Sequence, residues 1–201
     1  MRVAIKDYMA YYYGPTTVDI TSYDTFKAAT NGNGWDVDGL YGAQCVDAFM
    51  LINYNLGYPA PYAWAGPLGY SYEMWTEPTA RARNASDKYD LIYNLSEVKR
   101  GDMIVFSSAV GGGYGHNAFA DENYNGQAYI QCLGQNQFGA PFPTGGACFN
   151  VYGILSSAFL GAFRLKQWQQ PTPPTHTTKK HKFPWFIYVN KWRDRNNYGI
   201  I

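Results

Sequence analysis

Residues 44–56 read QCVDAFMLINYNL, an apolar run with helical spacing. Five of its residues fall near one another on a helical wheel: Val46, Phe49, Met50, Asn53 and Leu56. Gly57 follows as a stop signal for a helix. The stretch therefore predicts a helix whose first turn contains Cys45.

Strand-like segments follow further along the chain, each bounded by turn residues. They are Met103 to Ser107, His116 to Ala120, Ala128 to Leu133 and Ala158 to Leu165. Residues 59–90, before these segments, are rich in Pro, Gly, Tyr and Trp, and we expect a loop that forms a groove wall, with a short helix around Tyr70 to Trp75. A helix followed by an antiparallel sheet predicts an α+β fold.

The composition suits one compact domain with a short appendage. The chain has 201 residues, of which 46% are hydrophobic and 15% charged, enough apolar material for one core. The N-terminus lacks the long apolar stretch of a secretory signal, and no run reaches transmembrane length. We therefore expect a soluble protein that leaves a cell only by a route other than its own signal.

The C-terminal part differs from the rest in charge. Residues 1–165 hold nine Lys and Arg against fourteen Asp and Glu, whereas residues 166–201 hold seven against one. Residues 167–182 are rich in Pro, Thr and Lys and predict a semi-extended linker after a domain of residues 1–166. The basic aromatic tail, 183–201, is too short to fold alone. It could bind anionic wall polymers or lipid headgroups, be the remnant of a targeting domain, or dock on the sheet as a strand.

Cys45 and His116 are the candidate catalytic pair. A nucleophilic thiol needs a lowered pKa, which the unpaired N–H groups and the dipole at a helix start can provide for Cys45. His176 and His181 lie in the linker, which leaves His116 as the general base. Taken alone, a single Cys and a single His such as Cys45 and His116 are more often ordinary packed residues than a catalytic pair. The remaining cysteines have apolar neighbours, and we interpret them as structural thiols: Cys132 and Cys148.

The motifs around this pair occur in the order of one known family. They are DVDGLYGAQCVD at 36–47, RGDMIVF at 100–106, GHNAF at 115–119 and LGQNQ at 133–137. With these motifs the sequence resembles the CHAP family, the cysteine, histidine-dependent amidohydrolases and peptidases, in the form found in phage endolysins. The resemblance covers most of residues 30–165. It implies a papain-like α+β domain in which N-terminal helices pack on a central antiparallel β-sheet.

The resemblance implies roles for the site residues. Cys45 would be the nucleophile, His116 the general base and then acid, and Asn136 the residue that orients the imidazole. Many relatives have Glu two positions before that Asn, where this chain has Gly134. Gln44 could donate to the oxyanion beside the Cys45 backbone N–H, or could make an N-terminal helix contact instead. Asp121 and Glu122 are alternative carboxylate partners for the imidazole. The competing interpretation is that these two acids form a solvated turn.

An acidic, glycine-containing loop precedes Cys45. Alternating carboxylates on such a loop gather the oxygen ligands that calcium prefers, although the spacing is not that of an EF-hand. The resemblance implies five calcium ligands at the matching positions. Three would be carboxylates, Asp36, Asp38 and Asp47, and two would be backbone carbonyls, Leu40 and Gly42. An ordinary Asp-rich turn before a helix is the competing interpretation.

The function implied by the resemblance is hydrolysis of amide bonds in Gram-positive peptidoglycan. The enzyme would be an endopeptidase or an N-acetylmuramoyl-L-alanine amidase, and the sequence does not choose between them. We expect a monomer with no nucleic-acid partner, held in the host cytoplasm until release and then acting at the cell wall. A virion-associated hydrolase, an inactive wall-binding module and a papain-like protease acting on proteins are the alternatives.

Overall fold

The computed structural model describes residues 10–58, 66–85, 87–137 and 148–169. The predicted tail and most of the predicted linker lie outside these described residues, as do His176 and His181. Within the described part, no helix is long and apolar enough to cross a membrane.

The described chain forms helices and strands in the following order. They are β1 (Tyr11–Tyr13), α1 (Tyr23–Thr30), β2 (Gly34–Asp36), α2 (Cys45–Asn55), α3 (Glu73–Thr76), α4 (Pro78–Ala85), β3 (Tyr89–Ile92), β4 (Met103–Phe106), β5 (His116–Ala120), β6 (Tyr129–Gly134), β7 (Asn150–Leu155) and β8 (Phe159–Leu165). The fold is α+β, as the sequence predicts.

Six of the strands form one antiparallel sheet in the order β3-β8-β4-β5-β6-β7. The pairing of β4 with β5 places Phe106 opposite His116, so the candidate base begins its strand at the end of the ladder. β5 then pairs with β6 through Phe119 and Leu133. β1 and β2 form a separate two-stranded parallel sheet that leads into the acidic loop.

Helix α2 packs its apolar residues against the sheet. Phe49, Leu51 and Ile52 are fully buried, and each contributes roughly 1.5–3 kcal/mol relative to exposure in water. Phe49 stacks on Phe163 of β8, with ring centroids 5.5 Å apart. This burial fixes the position of α2 and therefore of Cys45, its first residue.

Short helix α3 also rests on the sheet. A Cβ at Gly161 of β8 would overlap the Trp75 ring, so glycine at this position lets the indole lie directly on the strand. Trp75 also contacts Phe163 edge-on, at 5.4 Å between centroids. α3 and the loop before it are therefore held close to α2 and β5.

The predicted segments correspond closely to observed elements where the hydrophobic pattern is strong. α2 begins at Cys45, and β5 has the predicted bounds. Six observed elements were expected to be loop or were not predicted: β1, α1, β2, α4, β3 and β7. In α4 only Ala80 and Asn84 are buried, so no apolar periodicity marks it. In β7 a glycine interrupts the run, and most side chains are only partly buried.

The folded domain extends beyond the predicted boundary at residue 166. Lys166–Gln169 form a short 3-10 helix, and the Trp168 ring packs edge-on against Tyr23 at 5.6 Å between centroids. The Trp168 indole N–H donates to the Ile20 carbonyl at 2.9 Å. The first residues of the predicted linker therefore belong to the domain, because this indole has both an apolar surface and a carbonyl to bind.

Candidate active site

Cys45 lies at the N-terminal end of α2, half-buried beside the sheet. The helix starts here because Gln44 is extended, with φ −90° and ψ 167°, and the Asp47 carboxylate accepts the Gln44 backbone N–H at 2.8 Å. The thiol therefore sits where the helix dipole favours negative charge.

His116 is the partner of the thiol. It is 7% exposed, at the start of β5, and its imidazole hydrogen-bonds Cys45. Burial opposes the charged thiolate, but the imidazole charge and hydrogen bond outweigh it and lower the pKa of Cys45. Burial likewise opposes the imidazolium, yet the contacts with Cys45 and Gln137 raise the pKa of His116. Both shifts favour a thiolate–imidazolium pair.

Gly115 allows this placement of His116. Its φ is 75°, and an added Cβ would come within 2.7 Å of the Phe106 carbonyl oxygen and 2.9 Å of the Tyr72 backbone nitrogen. The glycine therefore lets the segment that contains Tyr72 approach the start of β5. The glycines shortly before it, Gly111–Gly113, form a short 3-10 turn.

Two further residues contact the thiol, Ser71 and Asn117, and neither contact was predicted from the sequence. The Ser71 hydroxyl and the Asn117 backbone N–H both hydrogen-bond Cys45 and lower its pKa. The Asn117 side-chain amide donates to the Ser71 Oγ at 2.9 Å, which orients the hydroxyl hydrogen away from Asn117. Ser71 is 8% exposed, and Asn117 is fully buried. The thiol therefore has two donors besides the imidazole.

Gln137 is the side-chain partner of the imidazole. Its Oε1 lies 3.2 Å from His116 Nε2. Its Nε2 donates to the backbone carbonyls of Cys132, at 3.1 Å, and Asn150, at 2.8 Å. Because carbonyl oxygens only accept, they fix which end of the amide faces His116. Gln137 Oε1 therefore accepts a hydrogen bond from the Nε2–H of His116, which leaves Nδ1 as the basic nitrogen of the neutral ring.

Asn136 does not hold the position that the resemblance implies for it. Its Nδ2 donates to Gln44 Oε1 at 2.8 Å, and among the described hydrogen bonds it makes none to His116. Asn136 has a positive φ of 54°, which turns the chain after β6 so that the next residue, Gln137, faces the ring. Among the described hydrogen bonds, the imidazole is contacted by Gln137 and not by Asn136, so Gln137 is the candidate orienting residue.

Steric contacts explain why residue 134 is glycine in this chain. A Cβ there would come within 2.8 Å of the Ala118 Cβ and 2.9 Å of Gln137 Oε1. A Glu at position 134 would therefore compete with Gln137 for the same space. The alternative carboxylates face elsewhere, because Asp121 pairs with Lys27 at 2.6 Å and Glu122 accepts from the Gln131 backbone.

Gln44 precedes Cys45 and hydrogen-bonds residues of neighbouring loops. Its Nε2 donates to the Tyr41 carbonyl at 2.7 Å, and its backbone carbonyl accepts from Gln135 Nε2 at 3.1 Å. Asn136 donates to its Oε1. The side chain is thereby held next to Cys45, with its amide group oriented by two partners.

The acidic loop brings three carboxylates together. One oxygen each from Asp36, Asp38 and Asp47 lie within 4.8 Å of one another. The positions predicted to offer carbonyls lie between them, Leu40 exposed and Gly42 with a φ of 76°. Leu40 also donates its backbone N–H to Asp38 Oδ1 at 2.8 Å. The three predicted carboxylate ligands therefore lie close together.

The charges of this cluster are poorly compensated by protein groups. Burial, with the nearby Asp38 charge, raises the pKa of Asp47 to about 7 despite backbone N–H donors from Gln44 and Val37. Burial and Asp36 also raise the pKa of Asp38. Asp36 Oδ1 is buried and, within the described residues, has no hydrogen-bond partner. A bound cation would supply the missing compensation, so the donor set fits a hard divalent ion.

A cleft of about 340 Å³ adjoins the site on the side of β6 and β7. Its lining begins at His116, Asn136 and Gln137 and continues to Tyr152 and Ile154. His116 therefore lies at the edge of a cleft large enough for a small ligand group.

Comparisons with known proteins agree with this architecture. A D-alanyl-L-alanine endopeptidase of Streptococcus phage B30 is 30% identical over 176 residues, 87% of this chain. The chain is similar to a phage endopeptidase. It spans 37% of the length of that relative. The crystal structure of the wild-type endolysin LysIME-EF1 shares the fold, with a TM-score of 0.54 and 19% identity over 74% of this chain and 65% of that chain. No family model matches the sequence.

Proposed function

We propose that this chain is a cysteine peptidoglycan hydrolase of the CHAP type, acting on amide bonds of the Gram-positive cell wall. The observation that carries the proposal is the Cys45–His116 hydrogen bond at the start of a helix, with Gln137 behind the imidazole. The similarity to a phage protein named as a D-alanyl-L-alanine endopeptidase supports a wall peptide as substrate. It favours endopeptidase over amidase activity.

The proposed mechanism is acyl transfer through the thiol. The Cys45 thiolate attacks the amide carbonyl, and the backbone N–H of Cys45 stabilises the oxyanion. The imidazolium of His116 protonates the leaving amine, and the neutral imidazole then activates water for hydrolysis of the thioester. Ser71 and the Asn117 backbone N–H hold the thiolate in place before attack.

In this proposal, Gln137 positions the His116 imidazole and Asn136 positions the Gln44 side chain. Gln137 keeps the Nε2 proton of His116 in place and so selects the tautomer in which Nδ1 exchanges protons with the thiol and the substrate. Asn136 holds the amide of Gln44, the second candidate oxyanion donor. The two residues act on different parts of the same reaction.

We also propose that the acidic loop binds calcium. Asp36, Asp38 and Asp47 would supply carboxylate oxygens, and Leu40 and Gly42 backbone carbonyls. The unpartnered, buried Oδ1 of Asp36 supports this assignment. The ion would supply positive charge that rigidifies the loop leading into α2, and it would take no part in the chemical step.

The proposed setting is a phage endolysin that reaches the wall after release from the host cytoplasm, with a virion-associated enzyme as the alternative. Peptidoglycan is its expected partner. We expect the protein to act as a monomer and not to bind nucleic acid.

Zymography on purified Gram-positive walls tests the activity. Wild type should clear the walls, and Cys45→Ala should bind without clearing. Cys148→Ala is the matched control, because it removes a buried thiol of another part of the fold and should leave clearing intact. Clearing by Cys45→Ala would refute the thiol mechanism, and binding without clearing by wild type would favour a wall-binding module. Mass spectrometry of the released fragments identifies the bond cut.

A further inference from the structure

The loop of residues 66–72 brings Ser71 to the thiol of the catalytic pair. The Ser71 hydroxyl hydrogen-bonds Cys45. The next residue, Tyr72, donates its backbone N–H to the Tyr114 carbonyl at 3.4 Å. The position of the 66–72 loop therefore decides whether the hydroxyl reaches the thiol.

The outer part of this loop has little apolar burial to hold it. Pro67, Leu68 and Gly69 are all exposed, so burial contributes little to their position. The Gly69 backbone N–H donates to the Gly66 carbonyl at 3.2 Å, which closes a turn. This bond shapes the loop but does not attach it to the rest of the domain. A group outside the turn that binds its backbone supplies the attachment.

Glu73, the first residue of α3, is that group. Its side chain is buried, at 4% exposure. Its Oε2 accepts the backbone N–H of Leu68 at 3.0 Å and that of Tyr70 at 3.1 Å. Hydrogen bonds to an ionised acceptor are stronger than those between neutral groups. Because Tyr70 directly precedes Ser71, the carboxylate fixes the backbone next to the hydroxyl.

Gly66 lets the start of the loop lie against the same side chain. Its φ is 115°, and an added Cβ would come within 3.0 Å of the Glu73 Cβ and 3.1 Å of the Glu77 Cγ. Only glycine fits this backbone conformation and this distance without strain. The loop therefore packs on Glu73 at Gly66 and hydrogen-bonds it at two later N–H groups.

We propose that Glu73 is a positioning residue of the hydrolase, whose carboxylate holds the 66–72 loop so that the Ser71 hydroxyl contacts the Cys45 thiol. The proposal rests on the proposed function, since it takes Cys45 as the nucleophile. The described contacts of Cys45 and His116 do not include Glu73, so its effect on the reaction passes through Ser71.

A double-mutant cycle tests this route. Wild type, Glu73→Ala, Ser71→Ala and the double variant are compared as full chains. One assay is hydrolysis of a soluble wall peptide. The other is alkylation by iodoacetamide, with the modified Cys45 located by mass spectrometry. Two residues that act through one contact give non-additive losses, whereas independent residues give additive ones.

We expect each single variant to lower kcat/KM by about tenfold, because each removes the hydroxyl from the thiol. Each should also slow alkylation of Cys45 several-fold. Glu73→Ala should cause a further loss of less than about twofold when Ser71 is already alanine. A merely structural role of Glu73 would instead give the same loss with and without the Ser71 hydroxyl.

Two other variants serve as rescue and control. Glu73→Gln should stay within about twofold of wild type in both assays, since the two N–H groups lie close to one oxygen, which an amide also provides. Glu122→Ala is the matched control, because this carboxylate also accepts a backbone N–H, from Gln131 at 3.0 Å. It should leave both assays unchanged.

Wild-type rates in Glu73→Ala would overturn the proposal, as would fully additive losses in the double variant or a Glu73→Gln variant as impaired as Glu73→Ala. If Glu73→Ala does not fold, Gly66→Ala takes its place in the cycle. This change displaces the loop from the Glu73 side chain and leaves the carboxylate in place. It should give the same loss, and wild-type rates would overturn the proposal.

Failure of the proposed function gives a different result. In that case wild type would not cleave wall peptides, or Cys45→Ala would cleave them at the wild-type rate. The alkylation cycle would still report whether Glu73 acts on Cys45 through Ser71, because iodoacetamide reacts with the thiol without any hydrolysis.

Discussion

Replacing Gln137 by alanine tests the most specific feature of the site. The change removes the acceptor 3.2 Å from His116 Nε2 and leaves a buried N–H without its protein partner. An unsatisfied buried donor costs about 1–3 kcal/mol, and the same loss in the transition state corresponds to a decrease of about 5- to 150-fold in kcat/KM. The free energy of unfolding should fall as well, because the Gln137 amide also binds two backbone carbonyls.

The pH profile adds a readout that a general loss of stability would not produce. The Gln137 hydrogen bond is one of the interactions that raise the pKa of His116. Without it that pKa falls, so the imidazolium is lost at a lower pH. We therefore expect the alkaline limb of kcat/KM to move to lower pH in Gln137→Ala, measured on a soluble wall peptide with stopped-time product analysis.

Two further variants decide what the amide does. Gln137→Glu keeps an acceptor but turns a carboxylate oxygen toward the carbonyls of Cys132 and Asn150, so it should destabilise the fold and not restore activity. Asn136→Ala should cost less than Gln137→Ala and leave the alkaline limb in place. A larger loss in Asn136→Ala, or wild-type kinetics in Gln137→Ala, would refute the reassignment of the orienting residue.

Three other changes test the supports of the thiol. Ser71→Ala removes a donor to Cys45 and should raise the thiol pKa, so iodoacetamide should alkylate Cys45 several-fold more slowly at neutral pH, whereas an unchanged rate would exclude the contact. Gly115→Ala forces the Tyr72 segment away and should lower both the melting temperature and kcat/KM; wild-type values would show that the segment yields without cost. Chelation with EDTA should lower both the melting temperature and the activity of wild type. It should change neither quantity in Asp36→Ala, which lacks one of the proposed ligands. Full wild-type activity in EDTA would contradict the calcium proposal.

The sequence was sufficient to predict the helices and strands whose buried residues follow a clear periodic pattern. α2 carries its apolar residues at helical spacing and is buried along most of its length, and β4 is buried at every residue. α4 was not predictable in this way, because its arginines and small residues leave no apolar stripe. Trp168 was assigned to a linker from the composition around it, although its ring finds a place on the core.

The site residues, too, were predictable only where the sequence carries a local signal. Cys45 and His116 were identifiable because a helix start and a strand start leave local signals, and the structure brings the two side chains into contact. Ser71 had no local signal, since its role depends on a loop folding back over β5. The choice between Asn136 and Gln137 depended on one backbone angle after β6, which residue types alone do not specify.

Asp47 joins the acidic loop to Gln44, the residue before Cys45. Its Oδ1 accepts the Val37 backbone N–H at 2.7 Å, and its Oδ2 accepts the Gln44 backbone N–H at 2.8 Å. One carboxylate thus fixes the loop on one side and the residue before Cys45 on the other. Because the Asp47 pKa is raised to about 7, part of this carboxylate is protonated at neutral pH unless a cation holds it ionised. A cation in the loop would therefore act on the reaction by keeping both hydrogen bonds intact and α2 in place.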